Sequence, residues 1–110
     1  MEAAILGKTI TVTIDRPLGS KHPEWGWIYP VNYGYVAGVV GGDGEDLDAY
    51  VLGVDVPLTT FTGRCVAVIE RIDDVEVKLV VVPDGVALSD EEIGRATFFQ
   101  EQWFSSRIVR

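Results

Sequence analysis

The chain has 110 residues, 47% of them hydrophobic, with three Trp, four Tyr and four Phe. That suits a single domain, expected to span 1–110, and excludes a disordered chain. A formal net charge of −8 opposes nucleic-acid phosphates and anionic lipid, and Cys65, the only cysteine, excludes an internal disulfide and a thiolate metal cluster.

No apolar stretch approaches the roughly 18–20 residues that span a bilayer, and Met1 to Thr9 has no apolar core behind a basic end. A cytoplasmic protein with neither nucleic-acid nor membrane partners is expected, and metal cations are its natural companions.

From Thr9 to Ile14 polar and β-branched apolar residues alternate, the period of a half-buried strand. Ser20 to Trp27 mixes Gly, Pro, Lys, His and Trp without a sustained period and reads as an ordered loop. Asn32 to Val36 starts a second extended segment, which Gly41-Gly42-Asp43-Gly44 ends in a tight turn. Leu47 to Val54, Arg64 to Glu70 and Val75 to Val82 are further strand candidates, the last stopped by Pro83-Asp84-Gly85. Ser89 followed by Asp90-Glu91-Glu92 is a capping box that predicts a terminal helix, with Ile93, Ala96, Phe99 and Trp103 as its apolar stripe. Five strands and one C-terminal helix predict a mainly β fold, a five-stranded OB-like barrel capped by that helix.

The acidic cluster Asp43-Gly44-Glu45-Asp46-Leu47-Asp48 opens the third strand. Crowded carboxylates repel unless solvated or sharing a cation, so the segment is either a solvated turn or a site for a hard cation. Strand alternation points Asp46, Asp48 and Tyr50 to one face and Leu47, Ala49 and Val51 into the core. The same alternation sets Asp74, Glu76 and Lys78 on a common face, which an ordinary edge strand with cross-strand charge pairs would also show. Together the two rows could supply oxygen ligands for Mg²⁺ and a cation for phosphate oxygens. His22, in a loop, suits a supporting role, and Arg16, Arg64 and Arg71 are further candidate phosphate contacts.

Tyr29-Pro30-Val31-Asn32-Tyr33-Gly34-Tyr35 resembles the Tyr-Pro-x-Asn-Tyr-Gly-Tyr segment of soluble family I inorganic pyrophosphatases. The acidic cluster is similar to that family's Asp-Gly-Asp-Pro-hydrophobic-Asp signature, and Lys78-Leu79-Val80-Val81-Val82-Pro83 to its Lys-Leu-Val-x-Val-Pro strand. The resemblance implies hydrolysis of a small phosphoanhydride, inorganic pyrophosphate, with Mg²⁺ or Mn²⁺ as cofactor. It assigns metal ligation to Asp43, Asp48, Asp74 (or Asp73) and Glu76, and orientation of the attacking water to Glu45. Phosphate contacts fall to Lys78, Tyr33 and Lys21. The chain departs from the pattern at Glu45 and Asp46, where the family has Asp and Pro, and at Thr11 and Thr13, where it has Lys and Glu. Phe98 to Trp103 resembles a helix that brings a Tyr-Lys pair to phosphate, a pair this chain lacks. The alternative expectation is a catalytically impaired relative that binds metal or phosphate. Trp25, Trp27, Phe98, Trp103 and Phe104 are more large aromatics than one small core hides, which predicts a homo-oligomer contact.

Overall fold

Alternation turns directly into structure in strand β1 (Thr9–Arg16), where Val12 and Ile14 are buried while Thr11 and Thr13 face solvent. The computed structural model describes residues 2–41, 44–73 and 76–110. It adds β2 (Asn32–Val40), β3 (Asp46–Val51), β4 (Thr60–Arg71), β5 (Val77–Val82), helix α1 (Asp90–Glu101) and a short β6 (Ser106–Val109). The five longer strands close in the order β1-β2-β3-β5-β4 and back to β1, as the OB-like expectation required. Strands β3 and β5 run parallel, and the other pairings are antiparallel.

Closure depends on β4, which is longer at its start than its apolar run suggests. Its first residues, Thr60 to Arg64, pair with β1, and a bulge between Cys65 and Ala67 bends the strand across β5 toward β6. Thr11 and Thr62 reinforce the seam with a 2.8 Å hydroxyl hydrogen bond. Gly34 is required where β2 crosses β1, because a Cβ there would collide with the carbonyl oxygen of Thr13.

Two apolar clusters share the sheet. Val12, Leu47, Ala49, Val51, Leu79 and Val81 belong to one cluster, while Tyr29, Tyr33, Tyr50, Val80, Val82 and Ile93 form the other against the helix. The unbroken apolar run Leu79 to Val82 follows from burial of β5 on both faces. Fully burying each such side chain contributes roughly 1.5–3 kcal/mol.

The predicted capping box is complete. The Ser89 hydroxyl accepts from the Glu92 N–H at 3.1 Å, and the Glu92 carboxylate accepts from the Ser89 N–H at 2.9 Å. The helix packs on the outside of the barrel wall through Ile93, Ala96 and Phe99. Trp103 leaves the predicted stripe: the helix ends at Glu101, and the indole is 59% exposed, stacked on Trp27. Strand β6 was not expected; four residues of mixed character, Ser-Arg-Ile-Val, carry too little pattern to announce a strand. No helix of the described residues is long and apolar enough to cross a membrane.

Candidate active site

Strand register builds the site. Tyr35 on β2 pairs with Asp48 on β3, and Asp48 pairs in turn with Lys78 on β5. One rung along, Tyr33 pairs with Tyr50 and Tyr50 with Val80. Paired residues project to the same side of a sheet, so Tyr35, Asp48 and Lys78 form one row and Tyr33 and Tyr50 the next. The expected common face of Asp46, Asp48 and Tyr50 is present, but its Tyr50 end is roofed by α1 and fully buried, whereas Asp48 stays at the open edge.

Lys78 is the buried cation of the site. Its ammonium donates to Asp48 Oδ2 at 2.6 Å and lies 3.1 Å from Glu76 Oε2. Burial alone would lower its pKa, but the Tyr33 hydroxyl and the Asp48 carboxylate beside it win, and the ammonium is held above the ordinary lysine range. Burial pushes the Tyr33 hydroxyl up, only partly offset by Lys78, so the phenol remains a proton donor at neutral pH.

A second cation extends the network. Arg71 closes a fork on Glu101, with Nε to Oε1 and Nη2 to Oε2 both at 3.0 Å, and its Nη1 donates to Glu76 Oε2 at 2.6 Å. Phe104 lies under the guanidinium, 3.7 Å from its ring centre. The Tyr50 hydroxyl donates to Glu101 Oε2 at 2.7 Å and accepts from Gln100 at 2.8 Å. Burial, then the Glu101 charge, raises the Tyr50 pKa. Three carboxylates, Asp48, Glu76 and Glu101, thus meet two cations with Glu76 shared between them.

Two cavities flank Glu76. An open cleft of about 390 Å³ is lined by Tyr35, Glu45, Asp46, Asp48 and Glu76. Its hard-oxygen donors suit a cation such as Mg²⁺. Among the described residues no three such groups already converge as a metal cage. Asp43 and Asp74, the other two expected ligands, lie outside the described residues. Asp15 adds charge nearby: burial raises its pKa, Arg16 pulls it back, and repulsion from Asp48 acts upward. The second cavity, about 540 Å³, has Tyr33, Arg71, Lys78 and Gln100 on its polar side and Trp25, Trp27 and Trp103 among its aromatic lining.

The remaining expectations fall as follows. Asp73 is exposed in the turn after β4. Lys21 is exposed, bridged through its backbone to Ile28, and lines neither cavity. Arg71 was one of three candidate arginines, and only the fold shows that it enters the site. Glu101 and Gln100 were not singled out, and Tyr50 was placed only on the face of Asp46 and Asp48. A sequence signal for Glu101 existed, since it continues the Ile93, Thr97 series of buried helix positions. Of the aromatics expected at an oligomer contact, Trp25, Phe98 and Trp103 are exposed, whereas Trp27 and Phe104 are partly covered by their own chain.

A closed barrel, one helix on its wall and a row of carboxylates, lysine and tyrosine at the barrel's edge define a hydrolase of the inorganic pyrophosphatase fold. The sequence model of the family described as inorganic pyrophosphatase matches residues 8–104, and the chain belongs to that family. Among solved structures, the inorganic pyrophosphatase of Ehrlichia chaffeensis is similar at 20% identity and a TM-score of 0.71, over 93% of this chain and 85% of that one. The Helicobacter pylori enzyme gives 22% identity and 0.66 over 92% and 82%, and the Neisseria gonorrhoeae enzyme 27% and 0.61 over 84% and 71%. A search of curated protein sequences finds no significant match.

Proposed function

We propose that the protein is a weak, Mg²⁺-dependent hydrolase of inorganic pyrophosphate, releasing two phosphates. The observation that carries this reading is the convergence of Asp48, Lys78 and Tyr33 by strand register, with Glu76 3.1 Å from Lys78, in a chain of this family. Asp43, Asp48, Asp74 and Glu76 would hold the cation, with Mn²⁺ as a substitute. When bound, it would supply Lewis acidity to a water and neutralise phosphate charge.

The chain's own groups do the rest. Lys78 releases part of its hold on Asp48 to meet a phosphate oxygen, exchanging one anionic partner for another at little cost in charge. Tyr33 donates its hydroxyl hydrogen, which its raised pKa keeps in place. Glu45 at the cleft orients the attacking water and accepts its proton. Fewer cations than the family pattern means less neutralisation of the developing charge, on the order of 10²-fold or more in rate for each lost contact. The binding-only alternative draws on the same network, because Lys78 and Arg71 already pair with Asp48, Glu76 and Glu101. The exposed Phe98, which lines neither of the cavities that flank Glu76, marks the proposed homo-oligomer surface, which a sedimentation measurement giving only monomer would contradict.

Crystals soaked with Mn²⁺ and a non-hydrolysable diphosphate test the site directly. Anomalous density on the Asp48 and Glu76 face with phosphate on Lys78 is expected. Metal and diphosphate bound elsewhere would overturn the assignment.

A further inference from the structure

The larger cavity has a polar side and aromatic walls of opposite character. Inorganic pyrophosphate is a compact, strongly hydrated polyanion that gains from cations and donors, and drying an indole face against it returns nothing. Yet the wall here is continuous. Trp27 stacks on Trp103 with ring centres 5.2 Å apart at 20°, His22 lies 4.7 Å from Trp27, and Trp25 lies 6.4 Å from His22. Trp25 and Trp103 are 71% and 59% exposed, so ring surface is left open at the rim. His22 Nδ1 accepts the N–H groups of Glu24 and Trp25, which leaves the proton of the neutral ring on Nε2.

Size points the same way. The cavity of about 540 Å³ is far larger than a diphosphate needs and falls in the range of roughly 300–1,000 Å³ typical of sites for organic ligands. Its lining includes Lys78 and Arg71, the two cations that Asp48, Glu76 and Glu101 hold, and an entering diphosphate would exchange with those carboxylates for them. Glu76 lines both this cavity and the carboxylate cleft.

We propose that this site takes a nucleoside 5′-diphosphate, with the base against the Trp25, Trp27 and Trp103 wall and the diphosphate at Lys78 and Arg71. The proposal rests on the phosphoanhydride hydrolase reading of the same site. A water oxygen bonds to the β-phosphorus, the bridging P–O bond breaks, the bridging oxygen leaves with the nucleoside monophosphate, and the proton of water passes through Glu45 to solvent. The open aromatic surface supplies the affinity that bare pyrophosphate cannot collect.

Calorimetric titration with Mg²⁺ present tests this using α,β-methylene adenosine diphosphate and methylenediphosphonate, which differ by the nucleoside. The nucleotide analogue is expected to bind about tenfold tighter or more, with that ratio falling toward one in Trp103→Ala and in Trp25→Ala. Equal or weaker binding of the nucleotide analogue, or a ratio unchanged in both folded variants, overturns the proposal. Phosphate release from pyrophosphate, measured in parallel, reports on hydrolysis alone. Release with a ratio of one defeats the nucleotide proposal only, and no release with the ratio intact supports nucleotide recognition while defeating the hydrolase reading.

Discussion

Asp48 and Lys78 are register partners on the parallel β3–β5 pair, and their side chains meet at 2.6 Å. The contact joins an acidic edge residue to a buried lysine, whose side chain is 4% exposed against 37% for the aspartate side chain. Strand pairing therefore sets the geometry before any ligand arrives. Lys78→Met keeps the buried stem and removes the charge. We expect a loss of about 10²-fold or more in kcat/KM for phosphoanhydride hydrolysis. The melting temperature should change little, since Asp48 and Glu76 are a third exposed and can recover water.

Arg71 and Glu101 behave differently, because both side chains are buried, at 5% and 7% exposure. Arg71→Met leaves the Glu101 carboxylate without its fork and should destabilise the fold by about 3–5 kcal/mol in urea unfolding. Adding Glu101→Leu should restore most of that loss. A single variant as stable as the parent would show that the pair is not buried in solution.

Asn32 predicts a loss without any charge. Its Oδ1 accepts the N–H groups of Leu18 and Leu58, each at 3.0 Å, and its Nδ2 donates to the Val56 carbonyl at 2.9 Å. This one fully buried amide ties β2 to the loops before β2 and after β3. Asn32→Ala should cost roughly 2–4 kcal/mol, with three bonds lost and buried groups unpaired. Unfolding by circular dichroism checks it, and a cost below the range expected for one hydrogen bond would refute the role.

Much of the barrel was legible because its strands alternate or run apolar for a physical reason: one face or both are buried. Thr9 to Ile14 and Ser89 to Glu92 carried their structure in adjacent residues. The pairing of Asp48 with Lys78 was not legible, since it needs the parallel β3–β5 register. The Tyr-Pro-x-Asn-Tyr-Gly-Tyr likeness marked the right segment but could not divide its labour: Asn32 and Gly34 hold the fold, while Tyr33 and Tyr35 line the cavities. Arg71 could not be told from Arg16 and Arg64, because a long-range ion pair leaves no local period.

Buried Tyr50 sets an alkaline limit. Its folded pKa is raised, by burial and by Glu101, so the native state keeps a proton that the unfolded chain loses near pH 10. Its contribution is complete below that pH and declines as pH rises, by up to about 1.4 kcal/mol per unit. Tyr50→Phe should reduce the slope of stability against pH between about 10 and 11. An unchanged slope would mean that another group governs it.

The most direct measurement is phosphate release from inorganic pyrophosphate by the purified chain with Mg²⁺, with a chelator, and with Asp48→Asn. Slow release that the chelator stops and Asp48→Asn abolishes is the predicted result. Release that persists with the chelator, or in Asp48→Asn, would contradict the account.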